Sequence, residues 1–252
     1  MGEVRLKIEH LCKTFGITKA VADVSFNIKK GEVHALIGEN GSGKSTLTNM
    51  LTGIYTIDSG KFILDGREVH PKNQVEANKE GISIIVQELG TLSGLTVAEN
   101  IFLGHEDKFT KFGMKNTNLM NKMATELLKK YGFDRIKAGE IIDHYNFEDR
   151  QLIEIVKATY FEPKIVVIDE TTTALSNEGR HELYKHMERI KNAGNTVIFI
   201  SHDLSEILEK SDTITVLRDG VYIDTVSSKD IDEEGLRKLM VGRELEGEYY
   251  SN

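Results

Sequence analysis

The sequence holds one cysteine, Cys12, among 252 residues. No disulfide can form within it, and a reducing compartment suits it. It has two prolines, no internal repeat and no low-complexity segment, and otherwise the composition of an ordinary globular protein. No stretch reaches 18 apolar residues, which excludes a membrane-spanning helix, and Met1-Gly2-Glu3-Val4-Arg5 lacks the apolar centre of a signal peptide. Positive charge is also scarce. Against 40 acidic residues stand 32 basic ones, a net charge of −8, and no basic cluster stands out, which argues against a nucleic-acid partner. The expectation is a soluble, cytoplasmic protein that reaches a membrane only through a partner. Its length allows one large domain or two small ones.

What is present is one phosphate-binding stretch, Gly38-Glu39-Asn40-Gly41-Ser42-Gly43-Lys44-Ser45-Thr46, which matches G-x-x-x-x-G-K-[ST] at every fixed position. The apolar run 32–37 before it reads as a buried strand. Residues 47–53 after it read as a helix closed by Gly53. That strand–loop–helix setting is what the motif requires. Glycines let successive N–H groups turn inward on a phosphate, and the helix start adds positive partial charge. Lys44 can reach the β- and γ-phosphates of a nucleoside triphosphate, and the Ser45 hydroxyl can ligate Mg²⁺.

Around this loop the pattern is that of an α/β fold. Residues 3–15 and 20–29 read as strands about a turn at Gly16-Ile17-Thr18, and Lys61-Phe62-Ile63-Leu64 leads into an Asp65-Gly66 hairpin, which together suggest a small antiparallel sheet. Three continuous β-branched runs, 82–86, 165–168 and 196–200, read as strands covered on both faces, and each ends on a polar residue. Ligands of open parallel sheets bind at the carboxyl ends of strands, so Gln87, Asp169-Glu170 and Ser201-His202 are expected to gather at the phosphate loop. Residues 97–103, 119–131 and 148–160 read as helices of an insert between two core strands. A helix near 203–210, strands 213–218 and 221–227, and a short helix to Met240 complete the reading.

Asp169 suits a Mg²⁺ contact, and Glu170 can orient or deprotonate a water; a bland reading makes the pair a helix cap. Gln87 could bind metal and the attacking water, or lie on the surface. His202 could hydrogen-bond the γ-phosphate, or be structural. Phe15, before Gly16, could stack on a base or belong to the core.

The order phosphate loop, Gln87, helical insert, Asp169-Glu170, Ser201-His202 resembles the ATPase subunit of ABC transporters over nearly the whole sequence. More narrowly it is similar to the first half of the sugar-importer ATPases of the ribose and galactose type. The phrases that carry this are His34-Ala35-Leu36-Ile37-Gly38-Glu39-Asn40-Gly41, Gln87-Glu88-Leu89, Thr96-Val97-Ala98-Glu99-Asn100-Ile101-Phe102-Leu103-Gly104 and Leu239-Met240-Val241-Gly242-Arg243-Glu244. The resemblance implies a P-loop ABC-type domain with a RecA-like core, an antiparallel β subdomain and an α-helical subdomain at about 90–161. It implies ATP and Mg²⁺ as cofactors. Phe15 would stack on adenine, with Val21 in the same nucleotide surface. Lys44 and Ser45 would be the Walker A pair, Gln87 the Q-loop glutamine, Asp169 the Walker B acid, Glu170 the catalytic glutamate and His202 the switch histidine. Two such modules clamp ATP between them, so a second ATPase module, a transmembrane permease and, indirectly, a solute-binding protein are the implied partners, on the inner face of the cell membrane. The family carries both modules in one chain. This sequence stops just past the first, so it is expected to bind Mg-ATP alone but to hydrolyse it slowly.

The pattern departs at one place above all. The family's signature, Leu-Ser-x-Gly-Gln, is replaced by Tyr145-Asn146-Phe147-Glu148-Asp149 before the helix from Gln151. A carboxylate about 4 Å from a partner's phosphate charge would cost roughly 4 kcal/mol at an effective dielectric of 20, more than the roughly 0.3–1 kcal/mol a helix end supplies. Asn146, Glu148 and Asp149 do suit a helix start. Thr171 stands where a proline is usual, and Ser176 where an aspartate is. The expectation is one sound and one damaged nucleotide site per pair of modules. The rivals are a nucleoside importer's ATPase, a non-transport ABC ATPase acting on ribosomes or DNA, and a domain that holds ATP without hydrolysing it.

Overall fold

The computed structural model describes residues 2–85, 90–111 and 113–242. Two long strands, β1 (Val4–Phe15) and β2 (Thr18–Lys29), open the chain. Strand β3 (Val33–Ile37) runs into the phosphate loop, and α1 (Lys44–Leu51) leaves it. Then come β4 (Ser59–Leu64), β5 (Arg67–Val69), α2 (Gln74–Glu80) and β6 (Ile82–Ile85). The middle holds α3 (Val97–Ile101), a ribbon of β7 (Thr110–Lys111) and β8 (Met114–Lys115), α4 (Thr117–Lys130) and α5 (Phe147–Thr159). It closes with β9 (Ile165–Asp169), α6 (Asn177–Asn192), β10 (Thr196–Ile200), α7 (Leu204–Lys210), β11 (Thr213–Arg218), β12 (Val221–Ser227) and α8 (Glu233–Val241).

The strands form an antiparallel sheet, β2-β1-β4-β5, and a larger sheet, β12-β11-β3-β10-β9-β6, parallel except at the β12 edge. All side chains of β3 and β10 are buried, as expected of strands covered on both faces. One apolar cluster joins α3, α4 and α5 to one face of the parallel sheet through Ile85, Val166, Ile168 and Phe199. The other joins the antiparallel sheet to α1 and the opposite face through Leu36, Val167 and Ile198. Arg5 of the antiparallel sheet, paired with Asp65 of the same sheet at 2.9 Å, reaches across to the Gly194 carbonyl just before β10 at 2.7 Å.

The structure differs from the sequence reading at helices α1, α2 and α6 and at the β7–β8 ribbon. Helix α1 begins at Lys44 rather than Leu47, because its first turn is polar and carries no apolar periodicity. Helix α2 and the 16-residue α6 are additional to the sequence reading; α6 buries only a thin stripe including Leu183 and Met187. The β7–β8 ribbon is likewise additional. Among the described residues no helix is long and apolar enough to cross a membrane.

Candidate functional site

Topology places the site. In the parallel sheet β10 lies between β3 and β9, so the ends of three adjacent strands carry the phosphate loop, Ser201-His202 and Asp169-Glu170. The loop needs glycine at two positions. Gly38 (φ +155°) has the Leu217 carbonyl oxygen 2.2 Å from where a Cβ would sit; Gly43 (φ +99°) has the Ala20 carbonyl oxygen at 2.5 Å. Any side chain there would displace backbone. Gly43 is also the N-cap of α1 and supplies no side-chain bond, so the helix's leading N–H groups stay available to an anion.

Lys44 lies folded over the loop, its Nζ donating to the carbonyls of Gly38 (2.8 Å) and Glu39 (3.1 Å). Burial pushes its pKa down, against the Glu170 and Asp169 carboxylates, which push it up. Burial, and then the adjacent Glu170 charge, raise the pKa of Asp169; Lys44, a hydrogen bond from Ser45 and His202 act in the opposite direction. These mutual effects put Lys44, Ser45, Asp169, Glu170 and His202 in one electrostatic neighbourhood. Glu170 adopts a left-handed backbone (φ +51°), which costs an L-residue roughly 1–3 kcal/mol, and its N–H is held by the Ile200 carbonyl at 3.0 Å. Its Oε1 lies 2.7 Å from His202 Nε2. Acid and imidazole from separate strands therefore meet.

The donors fit a hard cation completed by phosphate oxygens and water. Asp169 Oδ1 is buried with no hydrogen-bond partner among the described residues, beside the Ser45 hydroxyl. Among the described residues no cluster of three or more carboxylate, imidazole or thiol ligands exists that could hold a metal by itself.

The remaining candidates fall as follows. Phe15 ends β1, 43% exposed, edge-on to Tyr55 at 5.1 Å and with Lys13 Nζ 5.4 Å from its ring centre. Val21 is buried, its Cγ2 3.4 Å from a Cβ built on Gly43, so it backs the loop. Gln87, with Glu88 and Leu89, lies outside the described residues, as do Arg243 and Glu244. Sequence reasoning passed over Glu206, a buried carboxylate behind Ser201. The spacing Asp203-x-x-Glu206 resembles an ordinary helix-start box, which conceals any other role.

Residues 21–173, more than half of the chain, match the sequence profile of the ABC transporter family. The chain belongs to that family. Among curated relatives, the ribose import ATP-binding protein RbsA of Clostridium perfringens (strain SM101 / Type A) is 42% identical over 252 residues, 99% of this chain and 50% of its own length. A putative ribose/galactose/methyl galactoside import ATP-binding protein of Halalkalibacterium halodurans is 42% identical over 249 residues, 97% of this chain and 47% of its own. The chain thus spans about half the length of the curated relatives it matches. Among solved structures, a nucleotide-free ATP-binding cassette from an ABC transporter superposes with a TM-score of 0.79 at 26% identity, covering 94% of this chain and 95% of that one.

In this ABC transporter chain the departing residues at α5 are in contact with one another. Asn146 caps α5 by accepting from the Asp149 N–H at 2.8 Å. Glu148 turns onto the start of α6, where its Oε1 accepts from the Ser176 hydroxyl at 2.7 Å. Ser176 in turn caps α6, accepting from the Gly179 N–H at 3.2 Å, and a Cβ on Gly179 would sit 2.5 Å from the same Glu148 oxygen. The carboxylate is therefore occupied inside the chain, at a helix N-terminus that favours it. Ser176→Asp would set two carboxylates against each other. At this largely hydrated edge we expect a loss of about 1 kcal/mol in urea denaturation. The loss should vanish in a Glu148→Gln background; an equal loss in both backgrounds would mean that the pair is not coupled.

Proposed function

We propose that this chain is an ATP-binding and ATP-hydrolysing module of a monosaccharide importer. The observation that carries the proposal is the meeting of Lys44, Ser45, Asp169, Glu170 and His202 at three adjacent strand ends. The likeness to ribose and ribose/galactose import ATP-binding proteins supplies the cargo class. ATP would lie with its phosphates in the loop from Gly38 to Thr46 and its base toward Phe15 and Val21. Lys44 would exchange its two carbonyl partners for phosphate oxygens. Ser45 and Asp169, with Gln87, would hold Mg²⁺, which neutralises phosphate charge. Glu170 would take the proton of the attacking water, and His202 would hold Glu170 in place and reach the γ-phosphate.

A second ATPase module would complete the site, and a membrane permease on the cytoplasmic side would receive the motion. A cavity of about 190 Å³ near α2 and α5, lined by Gln74, Ser83, Gly90, Glu154 and Lys157, supports a docking place for the permease. Burial raises the pKa of Glu154 there. A solute-binding protein would act only through the permease.

The test is titration of a fluorescent ATP analogue into the chain, followed by hydrolysis assays. We expect one saturable site per chain and at least a tenfold loss of affinity when Mg²⁺ is chelated. Hydrolysis should be slow for the chain alone and should rise when a second module is added. Absence of saturable binding would refute the nucleotide reading, and fast turnover by the chain alone would refute the need for a second module.

A further inference from the structure

Glu206 is 8% exposed in the first turn of α7, one turn behind the candidate catalytic pair. Its carboxylate collects three hydroxyl donors from three different elements. Ser201, at the end of β10, and Tyr184, on α6, each donate to it through short hydrogen bonds, and Thr172 donates at 3.2 Å. Two of these contacts, those of Ser201 and Thr172, bear on the site. Ser201 immediately precedes His202, and its Oγ also accepts the Asp203 N–H at 3.1 Å, so both neighbours of His202 are tied. Thr172 lies two residues after Glu170, whose own N–H is held by Ile200. Asp203 fixes Glu206 in turn, accepting from its N–H at 3.1 Å.

A left-handed backbone such as that of Glu170 persists only where its surroundings determine it on both sides. The Ile200 carbonyl does so on one side, and the Thr172–Glu206 bond does so on the other. The same carboxylate fixes the segment bearing His202. One buried acid thus sets the distance between two groups that arrive on separate strands.

We infer that Glu206 is a positioning residue for ATP hydrolysis, holding the Glu170 carboxylate and the His202 imidazole in register through Thr172 and Ser201. The inference rests on the hydrolytic reading of the site. It makes Glu206 act through others, because its two oxygens are taken up by the three hydroxyls. A glutamine would keep the shape but turn an N–H₂ group toward hydroxyls that need acceptors, so the network would have to rearrange.

The test compares Glu206→Gln, Thr172→Val and Thr172→Ser in single-turnover hydrolysis of radiolabelled ATP, with affinity measured separately. Glu206→Gln should lower the rate at saturating ATP at least tenfold while ATP affinity stays within twofold. Thr172→Val should lower the rate less, and Thr172→Ser, which keeps the hydroxyl, should restore it. Should Glu206→Gln not fold, the two Thr172 variants carry the test. A second readout is independent of turnover. In Glu206→Gln the ring C–H NMR signals of His202 should move, while those of His10 and His70, exposed in and beside the antiparallel sheet, should not. An unchanged rate with unmoved His202 signals would overturn the inference, as would equal rates for Thr172→Val and Thr172→Ser. Absence of hydrolysis in the unmodified chain would instead count against the hydrolytic reading, and the NMR comparison would still decide whether Glu206 places His202.

Discussion

Replacing Glu170 by Gln is expected to lower ATP hydrolysis by about 10²–10⁴-fold, the range for removal of a positioned general base. ATP affinity should hold or rise. The geometry separates the two effects. Glu170 follows the last residue of β9, in a left-handed backbone that turns its carboxylate to within 2.7 Å of His202 Nε2. Glutamine has the same shape and can still bond the imidazole, so the loop and the strand ends keep their places. It cannot accept a proton from water. It also removes a negative charge from the vicinity of the phosphates, which favours binding. The check is hydrolysis and nucleotide affinity measured on the same preparation. A fall of less than tenfold would assign proton transfer elsewhere.

Lys44→Ala is expected to weaken ATP binding by about ten- to one-hundred-fold. A hydrogen bond to a charged group contributes about 1.5–3 kcal/mol, and about 1.4 kcal/mol corresponds to tenfold in affinity. Two effects oppose each other here. Without nucleotide, Lys44 already satisfies two loop carbonyls, Gly38 and Glu39, so part of its interaction with phosphate replaces bonds it must give up. Against that, burial depresses its pKa and thereby marks a charge held at some cost, which two or more phosphate oxygens would relieve. The second effect is larger, because a phosphate bears full charge and a carbonyl only a dipole. Lys44→Arg separates charge from fit, since the planar guanidinium cannot enter the same pair of carbonyls. It should lose affinity nearly as fully as Lys44→Ala. Titration of the same fluorescent analogue checks both variants, and wild-type affinity in Lys44→Ala would remove Lys44 from the binding site.

The parts of this protein that were legible in its sequence are those in which neighbouring residues act together. The loop from Gly38 to Thr46 announces itself because its glycines, lysine and hydroxyls all fall in one phosphate-binding pattern. Strands β3, β9 and β10 are legible because burial on both faces demands unbroken apolar runs. Helix α6 is not, because little of its surface is buried and a thin stripe leaves a faint period. Contacts between distant residues are harder still. Glu148 read alone is a carboxylate obstructing a phosphate site, and only the fold shows it bonded to Ser176, 28 positions away. Glu206 read alone is a helix-start acid. Its three hydroxyl partners come from a strand end, a short turn and another helix, and no local pattern joins them.

The lateral order of the parallel sheet restricts how the proposed site could respond to a terminal phosphate. Strand β10 is zipped to β3 along one edge and to β9 along the other. His202, two residues past the end of β10, thus follows a strand that cannot slide without opening two ladders at once. In the proposed cycle His202 would respond within the short segment past Ile200, with the larger displacement left to whatever closes over the site.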